Sequence, residues 1–443
     1  MNRENWNLLS INECADVIGG GTPSTKNSDY WDGNIPWISP KDLSNNKDKY
    51  ITNGERFITE LGLEKSSAKL LPANSLLFSS RAPIGYLAIN AKPVATNQGF
   101  KSLILKDEFD VEFFYYLFKQ KTEFIKSFAS GSTFQEVSGS VVKNLSFLIP
   151  PKQEQEKISN ILSKLDKKIE LNQEMNENLE EIAKTLFKSW FIDFDPVRAK
   201  AEGRPTGLSK EISDLFPDSF EKSELGEMPS GWQTKNLGQI LTFLGSGKRP
   251  KGGASVTDDQ IPSIGAENIN FIGNYDYSKE KYVPRNFYEN LKEKGISIKD
   301  YDILIYKDGA NIGRSTIFGK GFPHKDCTIN EHAHLLRSER GIQKYLYFYL
   351  STKQSQEYLI SLNTASAQPG INQTQLKTLN ILKPEKKILE KFDVLVAPIV
   401  DLIFLNCLAN NNLSDIRDAL LPKLISGELK ISDAENLLKE ADI

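Results

Sequence analysis

Residues 158–186 read ISNILSKLDKKIELNQEMNENLEEIAKTL, and residues 392–420 read FDVLVAPIVDLIFLNCLANNNLSDIRDAL. In the first stretch Ile158, Leu165, Asn172, Leu179 and Leu186 form one row, and Ile161, Lys168, Met175 and Ile182 a second. In the second stretch the rows are Phe392, Ile399, Asn406, Leu413 and Leu420, then Leu395, Leu402, Ala409 and Ile416. Apolar residues stepping by three and four have a 3.5-residue period, the pattern of coiled-coil helices. The stretches align at an offset of 234, and Asn172 falls on Asn406. A single seam Asn costs stability and selects register or partner. We expect helices over residues 152–191 and 386–425. Pro398, which has no counterpart in the first helix, is expected to kink or break the second.

Outward from each seam, the preceding sequence repeats weakly but in order. Trp6 and Trp232 open the copies. Ile35-Pro36-Trp37-Ile38 pairs with Ile261-Pro262-Ser263-Ile264, Leu76 to Arg81 with Ile303 to Asp308, Thr96-Asn97-Gln98 with Ile329-Asn330-Glu331, and Pro150 with Pro384. Short β-branched and aromatic runs between Gly, Pro, Asn and Asp predict strand-rich domains with long loops. Helices are expected late in each copy, near 111–128 and 342–362. The expected organisation is an α+β chain with domains at 1–150 and 232–384, long helices at 151–191 and 385–430, an extended linker at 192–231 and a tail at 431–443. An antiparallel helix pair would bring Asn172 and Asn406 together near the centre and relate the halves by a pseudo-two-fold axis. Each helix would span about 60 Å, against about 34–36 Å for a turn of DNA. A parallel pair, or helices packed on other proteins, would also fit the periodicity.

The 443 residues carry a net charge of −3, which argues against non-specific coating of nucleic acid but not against local basic loops. Three scattered cysteines, Cys14, Cys327 and Cys407, suggest a reducing cytoplasmic setting. The N-terminus does not read as a signal peptide. The most apolar stretch, Val394 to Leu408, contains Asp401 and reads as a buried helix, not a membrane span.

Several motifs resemble those of the specificity subunits of type I restriction–modification systems. They are Asp193-Phe194-Asp195-Pro196-Val197-Arg198 with its continuation to Trp232, Gly20-Gly21-Thr22-Pro23-Ser24, Ser80-Arg81-Ala82-Pro83-Ile84-Gly85, Pro150-Pro151-Lys152-Gln153-Glu154-Gln155, and Leu421-Pro422-Lys423-Leu424-Ile425-Ser426-Gly427-Glu428-Leu429. The chain departs from the pattern at Lys383-Pro384-Glu385-Lys386-Lys387, which lacks the Gln-Glu-Gln of 153–155. The resemblance implies two target-recognition domains joined by two long antiparallel helices and reading a bipartite double-stranded DNA target. It also implies two methyltransferase subunits and restriction/translocation subunits as partners, with S-adenosylmethionine, ATP and Mg on those partners and no cofactor or membrane for this chain. A coiled-coil adaptor with two protein- or carbohydrate-binding heads is the competing reading.

No catalytic residues are expected. Gly245-Ser246-Gly247-Lys248 lacks the first Gly and the final Ser or Thr of a phosphate loop. His324, Cys327, His332 and His334 form the one metal-like cluster, with His332 and His334 sharing a strand face, but no metal site is assigned. Candidate DNA contacts in the first copy are Thr22, Ser24, Thr25, Lys26, Lys41, Arg81, Asn97, Gln98, Ser132, Thr133 and Gln135. In the second copy they are Lys248, Arg249, Lys251, Lys307, Arg314, Gln368 and Asn372. Arg suits guanine, Asn and Gln suit adenine, and Lys suits phosphate.

Overall fold

The computed structural model describes residues 5–46, 48–131, 135–223, 226–255, 260–265, 267–339, 341–365 and 370–440. The chain divides into two compact units, Met1–Lys168 with Leu413–Ile443, and Ile169–Asn412, so both long helices contribute to both units.

In the first unit a five-stranded sheet has the order Ala15–Gly19, Lys101–Leu105, Leu76–Ser80, Ile84–Asn90, Tyr50–Ile51. A three-stranded sheet sets Trp31–Ile38 between Arg56–Ile58 and Ala95–Thr96, the last pair parallel. The helix Val111–Lys126 buries Phe113, Phe114, Tyr116, Leu117 and Phe118. Asp110 starts it by accepting from Phe113 N. Asn7–Ser10 pairs antiparallel with Ser146–Ile149, which brings the two ends of this copy together just before the long helix.

The second unit repeats this plan. Leu241–Ser246, Ala333–Ser338, Ile303–Tyr306 and Ser315–Ile317 form the larger sheet in the same order and sense. Ile261–Ile264 lies between Tyr282–Val283 and, in parallel, Thr328–Ile329. Gln233–Asn236 closes against Asn380–Lys383. The helical counterparts are Gln343–Leu350 and Lys353–Ser361.

The long helices are Lys152–Phe191 and Lys386–Ile425. They run antiparallel in each unit, through the Arg417–Asp166 ion pair in the first (2.8 Å) and paired asparagines in the second. Asn172 and Asn406 do not meet, contrary to expectation. Asn172 Nδ2 donates to Asn410 Oδ1 (2.7 Å), and Asn406 Nδ2 donates to Asn176 Oδ1 (2.8 Å). The register is displaced by one helical turn, and the 234-residue offset carries one pair onto the other.

Three further expectations change. The second row of each seam is not all interior: Met175, Ile182, Leu395 and Leu402 are exposed, while Leu162, Val396, Val400 and Phe404 are buried. Val394 to Leu408 is therefore buried on one face only, since Val394 and Leu405 are also exposed. The helix Lys386–Ile425 is long and apolar enough by composition to cross a membrane, and 28% of its most apolar window is buried. It passes Pro398 without a break. Pro398 and Val394 are exposed, so the carbonyl that loses its donor lies on a face open to water.

The segment 192–231 is folded, not extended. It contains the helix Asp195–Ala201 and the hairpin strands Phe220–Ser223 and Gly226–Pro229. Val197, Phe216 and Trp232 are buried in the same core as Phe187, Phe191, Tyr345 and Phe392. Enough aromatic and aliphatic surface stands among its polar residues to offset the ordering of the chain.

Candidate nucleic-acid interface

In each copy a glycine crosses a tight turn made by an asparagine. A Cβ on Gly20 would lie 1.9 Å from the Asn97 carbonyl oxygen, and one on Gly247 would lie 1.8 Å from that of Asn330. No larger residue fits either crossing without moving the backbone. Asn97 N donates to Ile38 O and Asn330 N to Ile264 O, both at 2.9 Å. The Asn97 side-chain oxygen accepts from Gly99 N (2.8 Å), and that of Asn330 from His332 N (3.0 Å). Ser80 N donates to Gly99 O and Lys307 N to His332 O. Val137 N then donates to Ser80 O, and Ile371 N to Lys307 O. The two copies thus share one backbone frame, in which Arg81 corresponds to Asp308, Gln98 to Glu331 and Gly99 to His332.

In the first copy this frame gathers several expected residues. Thr22 Oγ1 donates to Gln98 Oε1. A Cβ on Gly99 would lie 3.0 Å from Asn97 Oδ1 and 3.6 Å from Arg81 Cγ. Arg81 faces Glu136 (3.4 Å), which also takes Lys101 (2.9 Å). Burial opposes ionisation of Glu136, but the two cations outweigh it and hold the carboxyl below its usual range. Gln135 is exposed next to this group. The Gly20–Lys26 loop is pinned by indole donors, Trp37 Nε1 to Gly21 O (2.9 Å) and Trp31 Nε1 to Ser24 O (3.1 Å), which leaves Ser24, Thr25 and Lys26 exposed. Lys41 turns to Glu55 (2.9 Å). Ser132 and Thr133 lie outside the described residues.

In the second copy Arg249 lies 3.8 Å from Glu331 and its side chain is 69% exposed. Lys248 and Lys251 are exposed, and Lys307 is half-buried within the frame. Arg314 sits where the hairpin Ile303–Tyr306/Ser315–Ile317 turns, its Nη1 3.4 Å from Asn311 Oδ1. The Asn372 side chain accepts from Gln375 N (2.9 Å) and caps the helix Gln373–Lys377. Its oxygen is therefore engaged as a cap, the place Ser138 takes before Gly139–Asn144. Gln368 lies outside the described residues.

The metal-like cluster is dispersed. His332 precedes the strand Ala333–Ser338 and is exposed against Asp308 (2.7 Å), so it does not share a face with buried His334. His334 Nε2 donates to Ile371 O (2.7 Å), and its Nδ1 accepts from Ser246, which in turn accepts from Gln373. Burial lowers the His334 pKa and keeps the ring neutral for these roles. His324 contacts Glu280. Among the described residues no group of three or more His, Cys, Asp or Glu side chains is placed to hold a metal ion.

Glu136, Asp308 and Glu331 also stand in these groups, although carboxylates are not the residue types that suit phosphate, guanine or adenine. The repeat alignment already set Asp308 against Arg81, and that was the available signal.

The description "Type I restriction modification DNA specificity domain" matches this chain twice, over residues 3–181 and 229–403. The chain belongs to this family. Each match takes one strand-rich domain with part of the long helix that follows it. Among relatives of the specificity-domain family, the type I restriction enzyme MjaIX specificity subunit of Methanocaldococcus jannaschii is 34% identical over 97% of this chain and 95% of its own length. The HindI specificity subunit of Haemophilus influenzae is 27% identical over 89% and 94%. The crystal structure of a type I restriction–modification S subunit from M. genitalium has the same fold, with a TM-score of 0.58 at 18% identity, over 96% of this chain and 97% of that one.

Proposed function

We propose that this chain is the DNA-specificity subunit of a type I restriction–modification complex. Each strand-rich domain reads one half of an asymmetric bipartite double-stranded target. The observation that carries this reading is the shared backbone frame bearing different half-buried and exposed polar side chains in two copies of a specificity-domain fold. One scaffold presented twice, with Arg81 and Gln98 in one copy and Asp308, Glu331 and Arg249 in the other, suits two half-sites of different sequence. The chain is the non-catalytic member of the complex. It recruits two adenine-methylating subunits and the restriction/translocation subunits, which hold S-adenosylmethionine, ATP and Mg, and it works in the cytoplasm. Leu171, Met175, Leu402 and Leu405, exposed on the long helices, supply apolar surface for such protein partners.

The purified chain alone is expected to show no methylation, cleavage or ATP hydrolysis. With its methyltransferase partner and S-adenosylmethionine it is expected to direct adenine methylation to one bipartite sequence, read by methylation mapping of a plasmid library. Methylation by the chain alone, or methylation without sequence preference by the complex, would sink the reading.

A further inference from the structure

Taking the proposed function as its basis, we infer that Asp308 and Glu331 read a cytosine in the second half-site, with Arg249 on the guanine paired to it. In a duplicated domain that must read two different half-sites, specificity belongs where the backbone is shared, the side chains are accessible and their chemistry differs. Three equivalent positions of the frame meet this description. Arg81 becomes Asp308, Gln98 becomes Glu331, and Gly99 becomes His332. The first copy presents the Arg81 guanidinium and the neutral Gln98 amide at this edge, whereas the second presents two carboxylate acceptors.

The sign of the charge decides what the carboxylates face. Beside a phosphate they would be repelled, so a position contacting DNA with Asp and Glu faces base edges. In the major groove the exocyclic amino donors belong to cytosine N4 and adenine N6. Adenine sets its N7 acceptor next to N6, and an ionised carboxylate offers acceptors only. Cytosine presents N4 without that neighbour and is the better match. Arg249 lies 3.8 Å from Glu331 and has the paired donors that suit guanine O6 and N7, so the group covers both edges of one G·C pair. His332 positions the acids: its Nδ1 is 2.7 Å from Asp308 Oδ1, and its Nε2 is 3.7 Å from Glu331 Oε1. Gly99, its counterpart, has no side chain to do this.

The test uses the full chain with its methyltransferase partner and a pool of random-sequence DNA duplexes, from which bound molecules are selected and sequenced. The wild-type complex is expected to yield a bipartite consensus with a G·C pair in the second half-site. Asp308→Asn and Glu331→Gln preserve volume and should each reduce discrimination at that pair by roughly 10- to 100-fold, with the first half-site unchanged. Asp308→Arg installs the first copy's residue and should shift the preference on that strand from cytosine to guanine. If it fails to bind, the two isosteric variants decide. Wild-type discrimination in both isosteric variants would overturn the inference, as would an equal loss of binding on all sequences. A wild-type complex that selects no consensus would instead remove the proposed function, and this inference with it.

Discussion

At the scale of single residues, the second domain depends on a buried ion pair that no sequence pattern announces. Arg337 Nε and Nη2 each lie 2.7 Å from an Asp302 oxygen, and Nη1 donates to Gly295 O (2.7 Å). The guanidinium also lies over the Phe243 ring at 4.5 Å. Asp302 is 2% exposed, and burial raises its carboxyl pKa above the ordinary value of 3.8 even with Arg337 beside it. Arg337→Met would leave that carboxylate without its counter-ion, and the second domain should lose about 3–5 kcal/mol at neutral pH. The sign of the pH dependence follows. A folded-state pKa above the unfolded one makes stability fall as pH rises from about 4 through the folded value. The variant's deficit should therefore shrink on acidification, as read by urea unfolding at several pH values. A deficit that does not change with pH would mean that lost packing, not the stranded charge, accounts for it.

At the scale of elements, the two asparagine pairs set the helix register. Asn172 is buried, and Asn410 Oδ1 accepts from its amide while Asn410 Nδ2 reaches Ile169 O (3.3 Å). Asn172→Ala should cost about 0.5–1.5 kcal/mol, because the half-buried Asn410 oxygen loses its donor. Replacing Asn172 and Asn410 together by Leu should recover most of that loss, since it strands no polar atom. Thermal unfolding midpoints of the single and double variants check this. A double variant no better than the single one would show that the pair is not the source of the cost. Within the same unit the second domain grips the second helix nearby. Tyr301 and Lys320 bond Asp401, Phe322 lies 5.1 Å from Phe404, and a Cβ on Gly273 would meet Cys407 Sγ at 2.6 Å.

At the scale of the whole molecule, two matched copies of one frame imply that recognition is modular. Exchanging residues 232–384 for the equivalent segment of another family member should replace the second half-site and leave the first intact, read by methylation mapping. The core sets a condition on the graft. Trp232, Tyr345 and Phe348 pack against Phe187, Phe191 and Phe392, which lie outside the exchanged segment. A graft without matching aromatics should unfold at lower temperature even where its own fold is sound. A change in both half-sites would rule out modular reading.

The duplication, the two 40-residue helices and their ends were legible in the sequence, because helix periodicity and terminal signals are local. The recurrence of Asn97 and Asn330 was legible for the same reason, since an Asx turn is made within three residues. Tertiary structure alone decided which Asn faces which. A one-turn displacement leaves Asn172 and Asn406 facing the partner helix but sets Asn176 and Asn410 opposite them in place of the second row, and contacts distant in sequence, such as Phe322 on Phe404, help settle the choice. It also decided that segment 192–231 folds, because Val197 and Phe216 join a core whose other members include Tyr345 and Phe392, more than a hundred residues away. Finally, the repeat alignment set Asp308 against Arg81 and Glu331 against Gln98, and tertiary structure brought Asp308 and Glu331 together at one edge around His332. Residue type suggests which atom a side chain could contact, but only the folded backbone determines where that side chain stands.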